Sequence, residues 1–344
     1  MRHEQRGFAT ASALDTAHLN SHFGNINSLY GHLRLLDWRD HIDRLEGAYA
    51  PSTMRAYRAD VEIFIEWCEK TGRQALPASP ATVCAFLEAN AHHAGPSTVR
   101  RRVYAIRKLH RLLKLTDPTY DEDVNLSLRR VRRSKLGRPK QAKGMTREYL
   151  EKFIAVQPDD IWGVRNRALL SIGYDLLTRR SELVALRSED VSWRRDGTLR
   201  VIIRRSKADP FGEGRIAFTS RRSAECLDEW LAVRGGAITP LFCAIYQGKP
   251  IDRGISPSLV KEIIKAAARA SGLDRSVVRD FSGHSMRVGA AQDLLRAGHD
   301  TAAIMRAGGW KSINVLARYL EQAEHNVWDD RPRASQTWSS GSNL

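Results

Sequence analysis

Residues 129–143 read Arg-Arg-Val-Arg-Arg-Ser-Lys-Leu-Gly-Arg-Pro-Lys-Gln-Ala-Lys, eight cations with one glycine, one proline and no carboxylate. Such a stretch has too little apolar surface to bury and too much like charge to pack. Its glycine and proline also punctuate any regular element. The chain must therefore build a separate core on each side, and 344 residues suffice for two ordinary domains. The expected division is a flexible tail over 1–38, a helical domain over 39–131 and a basic linker over 132–144, followed by a second domain over 145–328 and a disordered tail over 329–344. A nuclear address is one reading of the basic run. A linker lying along a polyanion accounts better for a cationic bridge between two domains.

The first domain carries helical periodicity. Leu35, Leu36, Trp38 and then His41 to Tyr49 suit one helix before Pro51. Ser52-Thr53 offers an N-cap, and Tyr57, Val61, Phe64 and Cys68 fall on one face of the helix that Gly72 closes. Pro80 opens another helix, with Val83, Phe86 and Leu87 apolar, ending in a solvated His92-His93 pair. Pro96-Ser97-Thr98 starts a third, with Val99, Val103, Ile106 and Leu113 as its stripe. Around that stripe stand Arg100, Arg101, Arg102, Arg107, Lys108, Arg111 and Lys114, and no acidic residue occurs from 96 to 116. Cations on a helix are usually a solvated face. Seven without a local carboxylate repel one another until an anion arrives, which points to DNA.

Beyond the linker, Thr146 is placed to cap a helix through Leu150 and Phe153. A longer helical segment follows from about 161 to 187. Thr198 to Arg204 alternates as a strand, with Arg215 to Thr219 its partner across a turn containing Pro210, Gly212 and Gly214. Helices are expected near 221–234 and 256–271. The fold class is mainly α with a small β-sheet.

Charge narrows the partner. Lysine plus arginine number 55 against 39 aspartates and glutamates, a formal charge of +16, which favours nucleic acid first and an acidic membrane second. No apolar run reaches the roughly 18 residues that span a bilayer. The first residues, MRHEQRGFATASAL, lack the apolar stretch of a secretory signal and read as a mobile leader rather than a transit peptide. Cys68, Cys84, Cys226 and Cys243 show no C-x-x-C pairing and read as reduced core residues, consistent with a cytoplasmic protein and no metal.

The chemistry gathers near the C-terminus. His284 and Arg287 are three apart, which on a helix places them on one face. A Gly308-Gly309-Trp310 turn follows, and Tyr319 lies on a second helical pattern with Ile313, Leu316 and Leu320. Imidazole, guanidinium, indole and phenol together make a phosphodiester-cleaving set. Arginine grips phosphate with a planar fork, and a phenol can be a covalent nucleophile where its developing charge is stabilised.

Gly283-His284-Ser285-Met286-Arg287, Ala307-Gly308-Gly309-Trp310 and Tyr319 closely resemble the catalytic end of the tyrosine recombinases, the phage-integrase family, especially their Cre-like branch. Upstream, Leu176 to Leu183 resembles the family's first arginine box, its R-x-x-E pattern met by Arg179 and Glu182. The family's apolar second position is here Arg180. Lys207 in the hairpin resembles the family's mobile-loop lysine. The resemblance covers about residues 40–325. It implies a two-domain DNA clamp, with a helical core-binding domain and a C-terminal catalytic domain.

The resemblance further implies that Arg179 and Arg287 hold non-bridging oxygens, Glu182 orients the site, and Lys207 protonates the leaving 5′-oxygen. His284 and Trp310 would supply further donors around nucleophile Tyr319. Ser97, Thr98 and Arg101 would face the major groove, with Arg100 and Arg107 beside them and Ser258 and Lys261 on a later helix. Arg132, Arg133 and Lys135 would follow the linker along the duplex. The implied activity is site-specific recombination through a 3′-phosphotyrosyl intermediate and a Holliday junction, by a homotetramer on two inverted-repeat sites, in a bacterial or phage setting. No cofactor, ATP or metal is expected. A type IB topoisomerase-like enzyme and a non-catalytic DNA-binding regulator are the alternatives.

Overall fold

The computed structural model describes residues 38–135, 141–204, 209, 212–321 and 323. The expected tails apart from Trp38, linker residues 136–140, Lys207 and residues 324–328 lie outside these. The chain forms two compact units, Met1–Arg138 and Pro139–Leu344.

The first unit is helical: α1 Trp38–Asp43, α2 Pro51–Lys70, α3 Pro80–Ala91, α4 Pro96–Leu112, a 3₁₀ turn at Pro118–Tyr120 and α5 Glu122–Ser134. Prolines open α2, α3 and α4, where an absent N–H is no loss because the first turn has no acceptor for it. The cap of α2 is Ala50, not Ser52-Thr53, since Pro51 already starts the helix. α1 is shorter than the periodicity suggested, because the chain turns from Arg44 onward through Gly47 at φ +78°. Val61, Phe64, Phe86, Leu87, Val103, Ile106 and Leu109 are fully enclosed or nearly so in one core. There the Phe64 and Phe86 rings meet edge-on at 5.0 Å. The basic segment from Arg129 is at first helical: α5 continues to Ser134, capped at its start by Asp121, whose carboxylate accepts from the Asp123 N–H at 2.9 Å. Arg132 and Arg133 sit in its last turn, where cations favour the helix dipole.

The second unit contains α6 Arg147–Ala155, α7 Ile161–Asp175, the short α8 Arg180–Leu183, a sheet of β1 Val191–Trp193, β2 Leu199–Ile203 and β3 Arg215–Phe218, then α9 Arg221–Arg234. After these come the hairpin β4 Cys243–Tyr246 and β5 Lys249–Gly254, then α10 Pro257–Ala270, α11 Arg275–Asp280, α12 Ser285–Arg296, α13 Thr301–Gly308 and α14 Ile313–Leu320. The strand order is β1-β2-β3, all antiparallel, with Val201 opposite both Val191 and Ala217. Alternation buries Leu199, Val201 and Ile203 against the helices.

The expected helix over 161–187 is broken. α7 ends at Asp175, and Leu177 takes φ +48°, a left-handed conformation costly to a branched side chain. Leu177 stays because its side chain is 3% exposed, within a small core with Ala290, Ile304, Trp310 and Leu316. All four cysteines are free, and Cys68, Cys226 and Cys243 are buried. No helix among the described residues is long and apolar enough to cross a membrane.

Candidate active site

Four segments of the second unit converge: the turn after α7, the start of α12, the end of α13 and the face of α14. Leaving the left-handed Leu177, the chain runs extended through Arg179, which caps α8. Glu182, 4% exposed, folds back to accept from the Arg179 backbone N–H at 3.1 Å and from Arg179 Nη1 at 2.5 Å. Arg179 and Glu182 therefore meet across a helix start rather than on one face of a long helix. A carboxylate this buried needs such partners. Arg180 turns elsewhere and lays its stem under Gly283, where an added Cβ would stand 2.8 Å from Arg180 Cδ.

Arg287, in the first turn of α12, is wholly enclosed. Its Nη1 donates to the Leu177 carbonyl, the residue that turns the chain toward Arg179. Its guanidinium lies 3.8 Å from the Trp310 ring centroid and 5.6 Å from that of Tyr319. Burial and nearby Arg179 lower its pKa to about 10, opposed by Tyr319 and Glu182, so it remains a cation at neutral pH. Its Nε and Nη2, and the indole Nε1 of Trp310, are buried donors with no protein acceptor. Buried unpaired donors are costly, and three in one site fit a ligand rich in acceptor oxygens.

His284 caps α12. Although much of its surface is exposed, desolvation of the ring, then Arg180, Arg287 and Arg179, pushes its pKa below the ordinary value. Trp310 follows Gly309, whose φ of +66° ends α13. The indole packs against Gly308, where any Cβ would fall 1.8 Å from Cζ3. Its ring meets Tyr319 edge-on at 5.1 Å. Tyr319, half-buried on α14, receives a hydrogen bond at its carbonyl from Gln292 Nε2 at 3.4 Å. The structure thus brings together Arg179, Glu182, His284, Arg287, Trp310 and Tyr319. Lys207 lies outside the described residues.

Sequence reasoning missed Arg215. It is half-buried at the start of β3 and donates to the Ala307 and Leu176 carbonyls, 2.7 Å each. An arginine opening an edge strand reads as solvent-facing, so no local pattern marks it.

In the first unit, α4 presents Ser97 and Arg100 to solvent, with Thr98 and Arg107 half-buried. Four of its cations, Arg101, Arg102, Arg107 and Arg111, are compensated by Asp60 and Asp117, which lie outside the helix. Buried Asp60 accepts from Arg101 Nε at 2.6 Å and Nη2 at 2.9 Å, and Arg102 lies 3.7 Å from the same group. Asp117 lies 3.3 Å from Arg111 and 3.8 Å from Arg107. Arg107 also donates to Thr119 Oγ1 at 2.9 Å and stacks over the exposed Tyr104 and Tyr120 rings. Arg132, Arg133 and Lys135 are exposed. In the second unit, Ser258 is exposed on α10, and Lys261 lies 3.6 Å from Glu262.

The chain matches the phage integrase family over residues 143–326 and the phage integrase N-terminal SAM-like domain over residues 39–116. It is 31% identical over 299 residues to an integrase/recombinase xerD homolog of Selenomonas ruminantium, with 83% of this chain and 86% of that protein covered. It is 28% identical over 294 residues to the recombinase cre of Escherichia phage P1, covering 80% and 86%. A lambda integrase dimer bound to a COC′ core site shares the fold at a TM-score of 0.61 and 15% identity, covering 86% and 80%. A lambda integrase tetramer bound to a Holliday junction matches at 0.57 and 15%, with the same coverage. The mainly helical fold has a SAM-like N-terminal domain and a tyrosine-bearing C-terminal domain, as in tyrosine-type site-specific recombinases. The chain belongs to the phage integrase family.

Proposed function

We propose that this protein cleaves and rejoins double-stranded DNA at specific sites through a 3′-phosphotyrosyl intermediate, with Tyr319 as nucleophile. The observation that carries the reading is the stack of Arg287 on Trp310 beside Tyr319, with three buried donors there lacking a protein acceptor. A phenol with an ordinary pKa near 10 is ionised about once in a thousand at pH 7, a deficit of about 4 kcal/mol that a site must offset. Preorganised donors aimed at the phosphoryl oxygens supply that stabilisation best where water is excluded.

In this reading Arg179 and Arg287 hold the non-bridging oxygens, and Trp310 Nε1 donates to the phosphate. Glu182 fixes Arg179. A depressed pKa keeps His284 neutral near pH 7, able to take the phenol proton. The Tyr319 oxygen–phosphorus bond forms as the phosphorus–5′-oxygen bond breaks, and Lys207 delivers a proton to the departing oxygen. The phosphotyrosyl bond conserves the phosphodiester's energy, so religation draws on no ATP or metal.

Ser97, Thr98, Arg100, Arg101 and Arg107 on α4, Ser258 and Lys261 on α10, and the cations Arg132, Arg133 and Lys135 would contact DNA, the two domains clamping one half-site. Of these, Arg101 and Arg107 would have to share their protein partners with DNA. A homotetramer on two inverted-repeat sites, passing through a Holliday junction, completes the proposal.

The test uses a duplex selected by the purified protein from a randomised inverted-repeat library. Wild-type protein should form a covalent adduct that survives denaturing electrophoresis, and Tyr319→Phe should bind that duplex equally while forming none. An adduct with the Phe variant would transfer the role to another residue. No adduct with the wild type would leave a non-catalytic regulator. A plasmid carrying two selected sites should yield deletion or inversion products; relaxation alone would indicate a topoisomerase-like enzyme.

A further inference from the structure

Arg215 opens β3 immediately after the hairpin turn. Its planar guanidinium reaches two backbone carbonyls in parallel, Ala307 through Nη1 and Leu176 through Nη2, each at 2.7 Å. Each carbonyl lies three residues before a site residue, Leu176 before Arg179 and Ala307 before Trp310. Leu176 also adjoins Leu177, whose carbonyl Arg287 holds, so two arginines grip consecutive carbonyls of one left-handed turn. On the other side, Gly309 admits the Arg215 stem, since an added Cβ would stand 2.8 Å from Cδ. Burial lowers the Arg215 pKa to about 10, with Glu182 opposing and Arg179 adding to the fall. The side chain is therefore cationic at neutral pH and lies within electrostatic reach of Arg287 as well.

We propose that Arg215 is a positioning residue that sets the separation of Arg179 and Trp310 about the scissile phosphate. It does not touch the phosphate itself. Because it belongs to β3, it also ties the pairing of the β2–β3 hairpin to the geometry of the phosphate site. A planar fork holds the two carbonyls at a fixed separation and direction, whereas a lysine ammonium is a point charge on a flexible stem with no such fixed geometry. Both carbonyls would otherwise be left short of donors where the chain turns. The proposal rests on the recombinase reading given above.

The experiment compares full-length wild type, Arg215→Met and Arg215→Lys on the selected duplex. The cleaved phosphate is either native or replaced by a methylphosphonate, which has no non-bridging charge to neutralise. Half-site affinity, adduct rate and melting temperature are measured together. Arg215→Met should bind within about twofold of wild type yet cleave the native duplex on the order of 100-fold more slowly, the scale of loss from a misplacement of about 1 Å. On methylphosphonate that deficit should shrink by about tenfold or more, because misaimed arginines matter less to a neutral phosphate. Arg215→Lys should remain at least about tenfold impaired on native DNA, since charge alone does not restore the brace.

Cleavage by Arg215→Met at the wild-type rate would overturn the proposal. So would an equal deficit on both substrates, or loss of folding in both variants, since either would make Arg215 a general fold residue. A wild type that forms no adduct would remove the recombinase reading, and this proposal with it. An active wild type alongside a fully active Arg215→Met would remove the brace alone.

Discussion

His110 is the clearest single-residue case of sequence and environment disagreeing. It stands in the last turn of α4 among arginines, where a cation would suit the helix C-terminus. Yet it is 0% exposed, and its two ring nitrogens are already committed. Nε2 accepts from the Ala78 N–H at 3.0 Å, so Nδ1 carries the proton and donates to the Ile106 carbonyl at 2.9 Å. Protonation would abolish the acceptor. Desolvation accordingly lowers its pKa, only partly opposed by the Ile106 carbonyl and Asp117. The unfolded histidine titrates near pH 6.5, so the unfolded chain binds more protons below that pH than the folded one. Its contribution to stability should be intact above about pH 6.5 and be lost progressively as the solution is acidified. Melting temperatures of the full chain at pH 7.5 and 5.5 check this. His110→Gln should melt lower than wild type at pH 7.5, and its drop on acidification should be smaller. His284 contributes an acid-sensitive term of the same sign in both proteins, so the difference between them isolates His110.

At the scale of elements, the end of α13 shows how a glycine pair builds a site. Gly309 supplies the left-handed residue that terminates the helix, and Gly308, lacking a Cβ, leaves the space that the Trp310 indole fills. Gly308→Ala would place a methyl carbon inside the volume of the Trp310 ring, a rigid packed side chain that must then shift as a whole. Overpacking of this kind costs about 1–3 kcal/mol, and displacing Trp310 disturbs both Arg287 and Tyr319. The expected outcome is a melting temperature lowered by a few degrees. Adduct formation should slow on the order of 100-fold while half-site affinity is preserved. A rate within threefold of wild type would show that the indole's position is not critical. The Gly-Gly-Trp turn, the helix starts at Pro80 and Pro96, and the β2–β3 pairing were legible because glycine, proline and strict alternation announce themselves. The break after α7 was not, since leucine at position 177 gives no turn signal and is held there by tertiary burial and Arg287. The β4–β5 hairpin was missed for a related reason. Its turn places Gln247 at φ +49° before Gly248 at +73°, and glutamine is not a residue that marks a left-handed turn.

For the whole molecule, the relevant quantity is where the excess of cations is left after folding. The formal charge is +16, and in sequence both α4 and the run from Arg129 to Lys143 stand as clusters of cations without a carboxylate among them. Folding changes that distribution: Asp60 draws in Arg101 and Arg102, and Asp117 draws in Arg107 and Arg111, pairings that sequence distance hides. The end of α5 and the residue beyond it are different, with Arg132, Arg133 and Lys135 all exposed. Two causes could account for cations there. They could serve the helix dipole, in which case alanine would loosen the last turn of α5. Alternatively they could serve a polyanion, in which case each phosphate neutralised would release condensed counterions and steepen the salt dependence by about 0.9 in log–log slope. Replacing Arg132, Arg133 and Lys135 together by alanine separates the two. If they contact DNA, the slope of half-site affinity against salt should flatten by about two to three, and the ranking of selected sequences should stay the same, because phosphate contacts carry no base information. Helicity by circular dichroism should change little. An unchanged slope with reduced helicity would assign these cations to the helix alone, and a changed sequence ranking would mean that at least one of them reads a base edge.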